Sequence, residues 1–508
     1  MFYILVGIGV QKIMQIFKHK KNDNTKTVKP GVGDRTDMIG TKDIRGLLLN
    51  FSIPAIVGML ANASYNVINR IFVGHAVGPD AIGAITVTFP ILIIFMGLSM
   101  LIGVGATTLI SIRLGQQKSN EAEAIMGNAL SLLILLPLIC CIGMYFYIEP
   151  LLIFFGSLDS LLPYAIDYLK ILMPGMILMS VSMGMNNIIR AEGNPITAML
   201  TQILGGAVNV AFNFIFVMIL DWGVQGAALG AVLGQVFAVT WVMFYFFSRN
   251  RSFLKIRARN LIPRLSYIGS ISVIGFAPFM MQITASIQML ILNRTLGEYG
   301  GEIALAVVGI VGSLSQLIVM PIVGLSQGAQ PIIGYNHGAH QYDRVRETLK
   351  KAVIYATVFS IFAWIIIRLF PIQMVDIFTD NEPAVTAMAS HALVIFFLMM
   401  IIVGFQVICS GYFQAIGKPV QATILSLTRQ VLFFIPLLII LPRFMGLEGV
   451  WWSAPVSDLA AVLITGACII LELYRTGMLR AKDAKEKTEA FRIAGRPDPE
   501  SPEPLLGQ

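Results

Sequence analysis

Twelve stretches of this 508-residue chain are each apolar over about 20 residues or more, the length an α-helix needs to cross a bilayer core. They fall roughly at 47–73, 81–112, 122–147, 164–189, 196–220, 224–248, 265–293, 303–333, 346–370, 385–415, 420–441 and 448–474. Within lipid every backbone N–H and C=O must be satisfied by the chain itself, so runs of this kind fold as helices. Only 13% of residues are charged and 56% are hydrophobic, against about 25% charged in a soluble domain. The expected class is therefore an all-α integral membrane protein. Prolines inside the runs (Pro54, Pro90, Pro137, Pro174, Pro278, Pro321, Pro436 and Pro455) are tolerated in such helices and mark candidate bends.

The twelve runs are two copies of six. Arg190-Ala191-Glu192-Gly193-Asn194-Pro195 and Gln414-Ala415-Ile416-Gly417-Lys418-Pro419 are variants of one loop. Other landmarks recur in order at nearly the same offset: Pro54 and Pro278, Asn69-Arg70 and Asn293-Arg294, Gly115 and Gly338, Gly223-Val224-Gln225-Gly226 and Gly446-Leu447-Glu448-Gly449. Ordered matches at one shift indicate a duplication.

Charge orients the stack. The segment 249–264 holds six bases, Arg249, Arg251, Lys255, Arg257, Arg259 and Arg264, and no acid, which assigns it to the cytoplasm. Counting outward places Lys118, Arg190, Arg344, Lys418 and both termini on the same side, while the opposite loops are mostly acidic, with Glu149, Asp221, Asp376 and Glu448. Six spans per copy start and end on one side, so the expected fold is two parallel six-helix lobes around a central cavity, a plan of alternating-access transporters. The expected division is a cytoplasmic segment 1–45, a first lobe 46–248, a linker 249–264, a second lobe 265–475 and a cytoplasmic tail 476–508. Residues 1–17 read as a membrane-surface stretch or an unstructured start, with no signal-peptide pattern. The net charge of +8 speaks of topology and not of nucleic acid. Cys140, Cys141, Cys409 and Cys468 lie in apolar runs without metal-ligand spacing.

Between the second and third spans, residues 113–123 lack the G-x-x-x-D-[RK]-x-G-[RK] pattern of the major facilitators. Instead, Gly103-Val-Gly-Ala-Thr-Thr-Leu-Ile-Ser-Ile-Arg-Leu-Gly115, Tyr65-Asn-Val-Ile-Asn-Arg-Ile-Phe-Val-Gly74, Ile189-Arg-Ala-Glu-Gly-Asn-Pro195, Gly324-Leu-Ser-Gln-Gly-Ala-Gln-Pro-Ile-Ile-Gly-Tyr-Asn336 and Tyr412-Phe-Gln-Ala-Ile-Gly417 together resemble the multidrug and toxic compound extrusion (MATE) family, in its bacterial multidrug-efflux branch. The resemblance covers about 46–475. It implies a plasma-membrane exporter of amphipathic, often cationic compounds driven by inward flow of H+ or Na+, with no other cofactor. It also sets an expectation that this chain breaks. Many members carry Asp where Asn69 stands here, and commonly Asn then Asp where Asn209 and Asn213 stand. Amides four apart share a helix face and can coordinate a cation, but they cannot carry a proton.

Ionisable groups in the bilayer are costly and are expected to be paired or functional. Asp458 and Arg429 fall at similar depth in the last two spans, so a static ion pair and a titrating coupling pair are both open. Candidate cation-coupling residues are Asp458, Arg429, Asn69, Asn209 and Asn213. Polar residues expected to line the substrate cavity are Asn62, Asn66, Gln202, Gln282, Gln288, Gln406 and His391, some of which serve as helix–helix glue. His337 and His340 are expected in the loop after the eighth span, without further metal ligands nearby. Arg190 and Glu192 are explained by the turn they flank or by gating. The expected partners are small organic cations and the bilayer, with the chain a monomer. A flippase for a lipid-linked saccharide or another amphipathic lipid is the second reading, and an enzyme the least supported, because the spans hold no clustered nucleophile, metal triad or acid pair.

Overall fold

A computed structural model of the chain describes residues 38–76, 79–155, 161–248, 251–376 and 383–475. The expectations for 1–17 and for the tail 476–508 lie outside the described residues. The first lobe comprises α1 (Ile44–Ala76), α2 (Pro79–Gly115), α3 (Ser119–Phe146), α4 (Leu162–Ala191), α5 (Pro195–Ile219) and α6 (Gly223–Phe247). The second comprises α7 (Leu265–Gly301), α8 (Val307–Gly338), α9 (Tyr342–Leu369), α10 (Pro383–Phe396 continued by Met400–Ala415), α11 (Pro419–Met445) and α12 (Leu447–Arg475). The protein is an all-α membrane protein with twelve crossings, two parallel six-helix lobes around a central cavity.

One run carries a bend, and one expectation is corrected. The tenth run is not one straight helix: it bends by 53° between Phe396 and Met400. The bend tightens the backbone bonds from Leu398 to Ile395 and from Met400 to Phe397, and the indole N–H of Trp364 on α9 donates to the Leu398 carbonyl at 3.2 Å. A side chain inserted into the ladder is a recognised cause of a kink. His337 lies not in a loop but in the last turn of α8.

The duplication is written into the turns. Gly193 and Gly417 both take left-handed backbone (φ 84° and 71°) at the ends of α4 and α10. In each copy the glycine N–H bonds three residues back and the next N–H five back: Gly193 to Arg190 and Asn194 to Ile189, Gly417 to Gln414 and Lys418 to Phe413. This is the glycine-terminated helix cap followed by proline at the next helix start. Gly223 and Gly446 (φ 56° and 58°) repeat, and so do Gln117 and His340 (φ 62° and 58°). The last pair shows that backbone geometry survived where residue type did not.

The lobes meet through α1 and α2 of the first against α7 and α8 of the second. A Cβ on Gly328 would lie 2.7 Å from Ser52 Cα, and one on Gly324 would lie 2.8 Å from Ile56 Cα. Only glycine lets the backbones come this close. Gly97 of α2 stands against Phe279 and Gln282 of α7, near mid-helix. These approaches lie in the half nearer the 249–264 linker. The lobes are thus closed at the linker end.

Candidate functional site

Asp458 and Arg429 meet as the sequence suggested. Arg429 Nε donates to Asp458 Oδ1 at 2.6 Å, with the Asp458 side chain 6% exposed and the Arg429 side chain 34%. Arg429 sits in a stretch of wide π-type turns, Thr428–Phe434, inside α11. Such turns re-aim side chains and recur at functional sites. In the first lobe the repeat partner of Asp458 is Gln235, whose Oε1 accepts from Ser182 Oγ at 2.9 Å. The position matching Ser182 is Gln406 on α10, buried, with its Oε1 lacking a donor. The position matching Arg429 is Gly205. A neutral polar pair in one lobe is thus a charged pair plus an unsatisfied amide in the other.

Asn213 Nδ2 donates to Asn209 Oδ1 at 3.1 Å, both buried, one helical turn apart on α5. Gly230 and Gly234 of α6 pack directly on these two amides. The side chains of Asn66 and Asn69 lie outside what the structure describes, and Asn62 is exposed on α1. Gln282 of α7 stands against Gly97 of α2, and Gln288 is half-buried one to two turns beyond. His391 Nε2 meets Glu448 Oε1 at 2.8 Å, both side chains about half exposed, at the end of α10 and α12 away from the linker. It is a solvent-exposed pair.

The linker end holds Arg190 and Glu192, for which the sequence leaves a turn role and a gating role both open. Arg190 is 4% exposed and has no carboxylate partner among the described residues. Its Nη1 donates to Asn187 Oδ1 at 3.2 Å and to Gln327 Oε1 on α8, across the lobe boundary. With the Gln202 amide in its satisfied orientation, Gln202 accepts from Arg190 Nη2 at 2.8 Å and donates to Gly58 O on α1 at 2.9 Å. Three neutral acceptors therefore hold a buried cation where the lobes close. A second cross-lobe tie lies nearby. Arg344 Nη2 donates to the carbonyls of Ile39 (2.9 Å) and Lys42 (2.7 Å), and Asn336 Nδ2 to Ile39 O, so the lead-in to α1 is fastened to the second lobe.

Glu192 is 2% exposed and accepts from Tyr245 Oη (2.8 Å), Ser252 Oγ (2.7 Å) and Leu254 N (2.8 Å). Burial pushes its carboxyl up to about 7, against the pull of these hydrogen bonds and of Lys255. Glu123 takes the Lys255 N–H at 3.1 Å and pairs with Arg257 at 2.9 Å. Asn128 accepts from Arg264 N at 2.6 Å and donates to Asn260 O at 3.2 Å. The linker is thus bolted onto α3, α4 and α6 of the first lobe. The signal legible in advance was the acid in Arg190-Ala191-Glu192, unmatched in the second copy. Its partners were not legible, because they lie 53 to 62 residues away.

No group of three or more His, Cys, Asp or Glu poised to hold a metal occurs among the described residues. The MatE family model matches the chain twice, over residues 54–215 and 278–440. Multidrug export protein MepA of Staphylococcus aureus (strain MRSA252) is 29% identical over 424 residues, 82% of this chain and 92% of the relative. Among solved structures, the MATE multidrug transporter DinF-BH is 37% identical, with a TM-score of 0.80 and coverage of 86% of this chain and 97% of that one. A MOP superfamily transporter from Pyrococcus furiosus Vc1 superposes with a TM-score of 0.82 at 25% identity, covering 89% and 99%. The two matched stretches begin at Pro54 and Pro278, the same prolines that set the internal repeat, and with the shared two-lobe fold they establish that the chain belongs to the MatE family of multidrug and toxic compound extrusion transporters.

Proposed function

We propose that the protein exports amphipathic organic cations in exchange for H+ or Na+, by rocking its two lobes about the closed linker end. The observation that carries the reading is the family match in both halves, joined to lobes that touch, among the described residues, through the linker half. With the basic linker in the cytoplasm, the end at which the described residues of the two lobes meet is the cytoplasmic one. The relatives named as multidrug exporters disfavour the flippase alternative.

Coupling is assigned to the second lobe. The first-lobe amides Asn209 and Asn213 offer oxygens to a cation but have no proton to exchange. Asp458 has. With Asp458 ionised, Arg429 holds it and Gln406 Oε1 lacks a donor. We infer from the repeat that a protonated Asp458 supplies that donor, because Gln406 and Asp458 stand at the positions whose first-lobe counterparts, Ser182 and Gln235, are hydrogen-bonded. The proton then moves the carboxyl from one neighbour to another, which gives each protonation state its own packing.

Everted vesicles bearing the full chain are expected to take up a fluorescent organic cation when a proton or sodium gradient is imposed. Asp458→Asn is expected to abolish gradient-driven uptake in correctly folded protein. No dye movement with either ion overturns the exporter reading. Full activity of the Asn variant overturns the coupling assignment alone.

A further inference from the structure

The linker is clamped, yet its bases face outward. Leu254 and Ser252 are buried against the first lobe (0% and 1% exposed), and the backbone at Asn260 lies on Gly127 of α3, where an added Cβ would meet the Asn260 carbonyl carbon at 2.7 Å. Of its described cations, Lys255 folds back to Ser252 O at 2.9 Å and Arg257 pairs with Glu123. Arg251, Arg259 and Arg264 are exposed and have no carboxylate partner among the described residues. Arg251 lies over the Phe244 ring, 4.7 Å from its centre, which aligns it beside the end of α6. The acids nearest in the fold are already used, Glu192 and Glu123 in the clamp, Glu121 by Arg113 at 3.0 Å. Mere topological positive charge would be served by a loose loop. Here the backbone that carries the arginines is fastened to the first lobe between the ends of two membrane-crossing helices, α6 and α7.

Apolar surface accompanies the charge. Ile262 and Leu265 are 65% and 88% exposed on either side of Arg264. Eight residues into α7, about 12 Å deeper along the helix, an apolar groove of about 440 Å³ runs between α7 and α11, lined by Ser272, Val273, Phe276, Val420 and Thr423. Cationic heads above an apolar slot match a molecule with an acidic head and hydrocarbon chains. We propose that the clamped linker and the α7–α11 groove form a binding site for an anionic phospholipid, whose headgroup phosphate pairs with Arg259 and Arg264 and whose chain lies in the groove. Because Arg264 is bolted to the first lobe while the groove belongs to the second, the lipid touches both sides of the joint that lobe rocking must bend. The inference is independent of the exported substrate and of which side of the membrane the linker faces.

The test uses purified full-length protein in nanodiscs of phosphatidylcholine with or without phosphatidylglycerol, with lipids retained by the protein read by native mass spectrometry. The wild type is expected to retain phosphatidylglycerol selectively, with affinity that falls as salt is raised. Replacing Arg251, Arg259 and Arg264 together by Gln is expected to weaken that binding roughly a hundredfold, as three arginines at an anionic surface imply. The corresponding triple Lys variant is expected to keep most of it, which separates loss of charge from loss of fold. Thr423→Trp, filling the groove and leaving every arginine in place, is expected to lower retention of the lipid as well. Equal retention of both lipids by the wild type, unchanged binding in the Gln variant, or unchanged binding in Thr423→Trp each overturns the site.

Discussion

Glu192 shows how a single residue can be a turn residue in the sequence and a fastener in the fold. Its carboxyl has a folded-state value raised from 4.5 to about 7 by burial. Between those pH values the folded protein keeps a proton that the unfolded chain has released, so stability falls as pH rises from about 4.5 to 7 and is flat above. Glu192→Gln keeps an acceptor for Ser252 and Leu254 and removes the titration. Its thermal stability relative to wild type is therefore expected to improve between pH 5 and pH 8, by at most on the order of 3 kcal/mol, as read from melting curves of the detergent-solubilised protein. A wild-type and variant pair whose difference is constant with pH would remove Glu192 from this role. At the same scale, Gln406→Ala tests the exchange of partners at Asp458. Gradient-driven transport is expected to fall roughly tenfold, the worth of one hydrogen bond to an ionisable group, with the Arg429–Asp458 pair and folding preserved.

At the scale of elements, the linker-end closure rests on α4 and α8 meeting through Arg190 and Gln327. Removing the acceptor leaves a buried cation short of a partner, a cost of about 1.5–3 kcal/mol borne by the closed state. Gln327→Ala is thus expected to raise the population open at the linker end by roughly tenfold or more. The measurement is the rate of maleimide labelling of Ser111→Cys, in a background lacking the four native cysteines, since Ser111 is 1% exposed behind Gly334. Unchanged labelling would show that the glycine contacts alone hold the helices together. The bend in α10 belongs to this scale too. The sequence shows one apolar run there, because hydropathy records length and says nothing of the Trp364 indole that captures the Leu398 carbonyl.

For the whole molecule, rocking requires the two lobes to separate where Gly324 and Gly328 now let α8 lie on α1. Gly328→Leu places side-chain atoms where Ser52 stands, so it is expected to wedge the linker end apart and to abolish transport while leaving each lobe folded. Spin labels on the two lobes, read by double electron–electron resonance, are expected to show a longer linker-end distance in that variant. A wild-type distance with full transport would mean that the lobes do not need this contact.

The amino-acid sequence by itself determined the class, the duplication and the Asp458–Arg429 encounter. Each rests on information that is local or strictly periodic: apolar length sets a membrane helix, a constant offset sets the repeat, and equal distance from one turn sets equal depth. The same locality let the turns at Gly193 and Gly417 be read as one. The tertiary structure alone decided which side chains face each other across lobes and across the linker. Gln327 with Arg190, Arg344 with the Ile39 and Lys42 carbonyls, and Glu192 and Glu123 with the linker backbone join positions 62 to 305 residues apart. No period or offset encodes such pairs, because they depend on how whole helices rotate and lean, which close packing of glycine-lined faces settles only once all twelve are assembled.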